Sequence, residues 1–124
     1  MAKVIRLEDA PQIGLAGRNA REIVGGANGS AQVTFRRVEI PVPAPGARPR
    51  TQHLHQGYEE CIHIVSGRGE MRAGSGAVLP VGPGDTILVP PDEPHATSNT
   101  GSEPLVMLCF FPVPDIRPGT VELG

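Results

Sequence analysis

Between residues 60 and 66 the chain reads Glu-Cys-Ile-His-Ile-Val-Ser, and similar short apolar or β-branched runs recur along most of its length. A two-residue rhythm belongs to a strand, whose successive side chains face opposite ways. No ten-residue window carries a convincing helical period. The runs predict strands over residues 3–7, 21–24, 31–40, 50–55, 60–66, 69–73, 77–81, 86–89, 95–99 and 104–111. Gly, Pro, Asn and Asp punctuate them. The stretches GGANGS (25–30) and SGRG (66–69) predict hairpin turns. The segment PVPAPGARP (41–49) predicts a connecting loop, because proline brings no N–H to a ladder.

Short strands at even spacing leave a sandwich or a closed barrel as the economical architectures, since both hide strand edges. With 124 residues, one domain is expected, its core over about 31–112 and polar tails over 1–20 and 113–124. The tails are expected to lie over the barrel ends or to pair with a partner chain. The 16 glycines and 14 prolines fall between apolar runs, so they mark turns and not disorder.

Charge narrows the partners. Eleven Lys and Arg against 13 Asp and Glu, with no basic cluster beyond pairs such as Arg36 and Arg37, argue against nucleic acid. The longest apolar run, LVMLCFF (105–111), is too short to span a bilayer, and the opening MAKVIRLEDAPQIG lacks the apolar stretch of a signal peptide. No membrane association and a cytoplasmic location are therefore expected. Cys61 and Cys109 lie in separate apolar runs and are expected to be small buried thiols, not a disulfide. The Asn28 acceptor pattern NGS is expected to be a turn.

The chemistry gathers in HLHQGYEECIHIVSGRG (53–69). His53 and His55 stand two apart on a strand and project together. Counting back from Ile62 and Ile64 places Glu60 on the apolar inner face and sends Cys61, His63 and Val65 to the other, with Glu59 outside. A buried carboxylate beside buried imidazoles is costly unless compensated, and a divalent cation compensates all of them at once. A hydrogen-bonded His/Glu cluster, or histidines on a solvated face, is the alternative. Further along, GDTILVPPDEPHATSN (84–99) offers His95 as a fourth donor after a Pro-rich turn.

These two segments together resemble the cupins. The first cupin motif is matched by His53, His55, Glu60 and Gly67, with Gly46 one residue further upstream than the pattern has it. The second is matched by Gly84, Pro90, His95 and Asn99, with Asp92 where the pattern has glycine. Aspartate tolerates left-handed geometry better than most residues, so the turn is expected to be kept. The resemblance implies a jelly-roll barrel with one divalent transition metal ion (Fe, Mn, Ni, Co, Cu or Zn) held by His53, His55, Glu60 and His95. It leaves two coordination positions for a ligand and implies a homodimer. A small molecule chelating through adjacent oxygens is the expected substrate. Dioxygenase-like chemistry is the first expectation, an isomerase or lyase the second, and a non-catalytic binder or sensor the third. Tyr58, Arg37 and Thr51 are the candidates for catalytic groups beside the metal. Whether Arg36 or Arg37 faces the cavity stays open at this stage.

Overall fold

The computed structural model describes residues 1–124. Eleven strands follow one another: β1 (Gln12–Leu15), β2 (Arg18–Val24), β3 (Thr34–Ile40), β4 (His53–His55), β5 (Glu60–Ser66), β6 (Gly69–Ala73), β7 (Val78–Val81), β8 (Thr86–Val89), β9 (His95–Asn99), β10 (Leu105–Phe111) and β11 (Thr120–Glu122). They build two antiparallel sheets, one ordered β1-β2-β3-β10-β5-β8 and the other β11-β4-β9-β6-β7. The expected all-β jelly-roll barrel is thus the observed one. No helix is long and apolar enough to cross a membrane.

Side-chain alternation explains where the core sits. On β3 the buried row is Thr34, Val38 and Ile40, and on β10 it includes Leu105, Met107, Cys109 and Phe111. The register sets Val38 beside Met107, Met107 beside Ile64 of β5, and Cys109 beside Ile62. Inward rows of three neighbouring strands therefore form one apolar layer, with Met71 of β6 reaching it from the other sheet. Ile64 and Leu105 are completely shut from solvent. Burying such aliphatic side chains is the main force holding the layers together.

Four strands, β5, β6, β8 and β9, have the bounds their pattern predicts. The ends of the chain do not. Residues 3–7 form no strand and lead into a short 3-10 turn at Leu7–Asp9. The first strand is β1, and β2 begins at Arg18, so the two make a hairpin on the edge of the larger sheet. β11 pairs with β4 in the smaller one. Edge strands are held by backbone pairing and need little apolar pattern, so the expected tails carried no readable strand signal. Residues 50–52 also lie outside β4, which starts at His53.

The two turn expectations separate. GGANGS joins β2 to its antiparallel neighbour β3 as expected, through a 3-10 turn at Gly26–Asn28 and a left-handed Gly29. The Asn28 side chain ties that turn down, accepting from Gly25 N–H at 2.6 Å and donating to the Ile23 carbonyl at 2.7 Å. SGRG is not a hairpin: β5 lies in the larger sheet and β6 in the smaller, so the chain changes layers there. Gly67 makes the corner with φ at 85°, and a Cβ on it would lie 2.5 Å from the Pro104 carbonyl oxygen. At Gly46 φ is also positive, but an added Cβ meets nothing. Gly46→Ala should cost only left-handed strain, about 1–2 kcal/mol. Gly67→Ala adds a backbone collision and should cost clearly more in urea unfolding; equal losses would show that the corner gives way freely.

Candidate metal centre

Three residues long, β4 runs His-Leu-His between β11 and β9. Its two histidines share a face, and the ladder brings each a partner: His95 of β9 stands beside His53, and Thr120 of β11 beside His55. Glu60 comes from the opposite sheet as the first residue of β5. It is buried while Glu59 is exposed. One donor atom from each of His53, His55, Glu60 and His95 lies within 4.8 Å of the others. His63 points outward, exposed, with its Nδ1 2.9 Å from Thr86 Oγ1.

The turn before β9 positions His95. Asp92 adopts the left-handed conformation with φ at 64°. Its N–H donates to the His55 carbonyl at 2.8 Å, and its carboxylate accepts from Gly57 N–H at 3.2 Å. This turn is thereby stitched to the end of β4. Asn99, at the far end of β9, donates to the Ile40 and Glu103 carbonyls and accepts from Gly101 N–H, a structural role.

Hydrogen bonds around the rings decide where their protons sit. His95 Nδ1 is 2.8 Å from the Glu93 carbonyl, which can only accept, so Nδ1 carries the hydrogen. Thr120 Oγ1 donates to the Ile116 carbonyl at 2.6 Å, so toward His55 Nδ1, 3.0 Å away, it accepts. Both rings are Nδ1–H tautomers whose Nε2 atoms face Glu60 Oε1, at 3.0 Å from His95 and 3.2 Å from His55. The His55 approach is misaligned for a hydrogen bond, and its Nε2 is left without a partner; His53 Nδ1 is buried and equally unpartnered.

Two lone pairs and a carboxylate turned toward one another repel unless a proton or a cation lies between them. Without metal, a proton serves at His95. Burial alone would lower its pKa, but the facing Glu60 raises it above the ordinary imidazole value. Glu60 is pushed up by burial and down more strongly by the facing His55 and His95, so it stays ionised well below the usual carboxylate range. Burial, helped by His95 and His55, lowers His53 to about 3, so it is neutral, as a coordinating imidazole must be. Orphaned nitrogens, tautomers fixed by outer partners and a three-nitrogen, one-oxygen donor set fit a divalent transition ion.

Beside these residues lies a cavity of about 90 Å³ whose lining includes Arg18, Arg36, Arg50, Thr97, Cys109 and Glu122. Arg36, and not Arg37, faces it. Arg36 shares the inward parity of Thr34 and Val38 and is paired with Glu22 Oε1 at 3.0 Å. Arg37 lines an outer recess with Arg21 and Glu39. Thr51 is exposed outside the cavity, because β4 starts only at His53 and its alternation does not reach back that far. Tyr58 does not line the cavity either: its hydroxyl donates to the Ile116 carbonyl at 3.0 Å and its ring stacks on His55 at 5.6 Å between centroids. None of the three candidates for catalytic groups lines the cavity itself, and Thr51 lines only an outer recess beside it. Cys109 is buried as expected, but its place in the cavity lining was not anticipated, although the β10 alternation points to it. Both cysteines are free thiols. Burial first, and Glu60 second, push the Cys109 thiol well above its ordinary value, so it stays protonated. Arg18 and Arg50 had no readable signal, one preceding the strand as predicted and the other following a loop.

A family model described as cupin domain matches residues 42–111. An uncharacterized protein of Methanocaldococcus jannaschii is 42% identical over 57 residues, 46% of this chain and 45% of its own. A glucose-6-phosphate isomerase of Thermococcus kodakarensis is 34% identical over 64 residues, 48% of this chain and 34% of its own. The chain thus spans less than half the length of these curated relatives. Among solved structures, a variant of a Streptomyces nucleoside dehydratase with uridine superimposes with a TM-score of 0.79 at 15% identity, covering 99% of this chain and 91% of that one. The polyketide cyclase of Streptomyces resistomycificus gives 0.76 at 20% identity, covering 100% and 87%. Lactobacillus farciminis oxalate decarboxylase gives 0.75 at 21%, covering 94% of this chain and 34% of that one. Likeness at these identities is likeness of fold.

Proposed function

The chain belongs to the cupin domain family, and from that premise we propose that it is a single-domain, metal-dependent enzyme acting on a small molecule that chelates through oxygen. The observation that carries this reading is the convergence of three imidazoles on a buried carboxylate, with His53 Nδ1 and His55 Nε2 left unpartnered and the Nδ1 atoms of His55 and His95 held by outer partners. His53, His55, Glu60 and His95 would hold one Fe, Mn, Ni, Co, Cu or Zn ion. A bound ion supplies Lewis acidity at a ligand oxygen and, if redox-active, access to O2 chemistry.

The chain's own groups do the rest. Thr120 and the Glu93 carbonyl fix the orientation of two rings before any ion arrives. Ile62, Met107 and Phe111 form an apolar wall that limits water, and Arg36 is neutralised by Glu22. Dioxygenase-like turnover remains the first proposal for the reaction. Isomerase- or lyase-type proton transfer is the second, supported by the glucose-6-phosphate isomerases that match 48% of this chain. A cytoplasmic homodimer is the proposed setting, and mass in solution tests the dimer.

Metal analysis of untagged protein, followed by anaerobic Fe(II) loading and O2 uptake with diketones, 2-oxo acids and catechols, tests the function. Stoichiometric metal with substrate-dependent uptake supports the oxygenase reading. Metal without uptake moves the assignment to isomerase, lyase or sensor, and absence of metal binding overturns it. Thr120→Val removes the acceptor for His55 and should weaken metal affinity by about 10- to 100-fold in competition with a chromophoric chelator. An unchanged affinity would show that Thr120 does not hold that ring.

A further inference from the structure

Arg18 and Arg50 are the two cavity-lining guanidiniums that have no ion-pair partner and no part in the proposed metal centre. Arg18 opens β2 and Arg50 lies in the loop before β4. Together with Glu122 they line both the inner cavity and a recess on the outer surface, so these residues stand at its mouth. Both arginines are half-buried, and neither forms an ion pair. Arg18 Nε is shut from solvent with no hydrogen-bond partner, and Arg50 spends one Nη on the Thr97 carbonyl at 3.2 Å. Arg72 fixes the backbone of Arg50 by donating to its carbonyl.

Two half-buried cations lining one mouth are costly unless an anion joins them. Burial, and then Arg18, push Arg50 down to about 10; Arg18 is lowered chiefly by burial. Glu122 offsets part of this from outside and is itself exposed. The Arg36 charge is already matched by Glu22, so the excess positive charge is localised at the mouth. A guanidinium fork presents its donors in the geometry of a carboxylate. A cavity of about 90 Å³ leaves space for only a short spacer between mouth and metal centre, well below the roughly 300–1,000 Å³ of ordinary ligand sites.

We propose that Arg18 and Arg50 form a carboxylate-binding pair, and that the ligand is a small acid with two oxygen-bearing ends, one on the metal centre and a carboxylate on the arginines. This rests on the metal-centre reading and narrows its substrate class. The pair would select dicarboxylates or oxo-dicarboxylates over neutral chelators of the same size.

The test uses the full chain, first measuring Co(II) affinity and then titrating the loaded protein with malonate and with the neutral chelator acetylacetone, following the Co(II) visible bands. In Arg18→Gln/Arg50→Gln, malonate affinity at low salt should fall by at least about 30-fold, the loss expected for hydrogen bonds to charged groups. Co(II) and acetylacetone affinities should be unchanged. Arg37→Gln, on the outer face, should change none of them. Malonate binding that survives the double substitution while Co(II) stays bound overturns the arginine pair and leaves the metal centre standing. If the wild-type chain takes up no Co(II), the metal centre falls instead, and calorimetry of malonate with the metal-free protein decides the pair: binding lost in the double variant supports it, and absent or unaltered binding overturns it.

Discussion

Glu60→Ala is expected to lower metal affinity by more than about 100-fold, exceeding what loss of an outer-shell partner costs, while Glu59→Ala should leave it unchanged. The two carboxylates are neighbours in sequence, yet one is buried 3.0 Å from His95 Nε2 and the other is exposed. Their opposite fates follow from strand parity alone, since a one-residue slip of β5 would exchange them. Such a slip would also turn Ile62 and Ile64 out of the core, where they are 3% and 0% exposed, and so is opposed by the burial of both. His95→Ala and His53→Ala should match Glu60→Ala in competition with a chromophoric chelator. The reverse result, with Glu59→Ala stripping the ion and Glu60→Ala sparing it, would place the wrong residue of β5 in the centre.

The second large effect is on pH. Coordination needs neutral imidazoles, and His95 holds its proton above the ordinary histidine range because it faces Glu60. Metal affinity should therefore fall as pH drops from 8 toward 5, and binding near neutral pH should release protons. His53, lowered to about 3, contributes nothing to that slope, so no more than two protons are displaced per ion from the three imidazoles. Proton release measured by calorimetry in buffers of different ionisation enthalpy checks the count, and three protons per ion would show that His53 is charged in the free protein.

The metal-free chain titrates with opposing signs. His53 is lowered, so its contribution to stability is present above its unfolded value near 6.5 and is lost as pH falls toward about 3. Glu60 is also lowered, and its contribution disappears below the ordinary carboxylate range as pH falls further. His95, raised, acts the other way: its contribution is full in mild acid and lost as pH rises through its folded value.

Strand alternation made the centre legible. His53, His55 and Glu60 needed only parity, and His95 needed the second motif, because the β4–β9 pairing that brings it beside His53 joins residues 42 apart. The rest depended on relations that a local window does not contain. Ser66 to Gly69 looks the same whether the chain doubles back or changes sheet, since both need a glycine corner, and only the global strand order tells them apart. Gln12–Leu15 and Thr120–Glu122 are short edge strands, the first folded back on β2 in a hairpin and the second recruited by β4, far away in sequence. With the second went Thr120 and Glu122, and with the early start of β2 went Arg18, three residues that line the cavity. Tyr58, Thr51 and Arg37 are absent from the cavity lining for a related reason: nearness in sequence to a donor does not set the direction of a side chain.

The place of β10 has a consequence for synthesis. It lies between β3 and β5, pairing with Ile40 at one end and with Cys61 toward the other, although it is encoded after both. A growing chain therefore carries β3 and β5 with open edges until residue 111 has left the ribosome. Exposed edges of this kind invite pairing with another nascent chain, and closing them late requires contacts distant in sequence, which slows folding. Expression yield should accordingly depend on temperature and chaperone supply more than on the stability of the finished barrel.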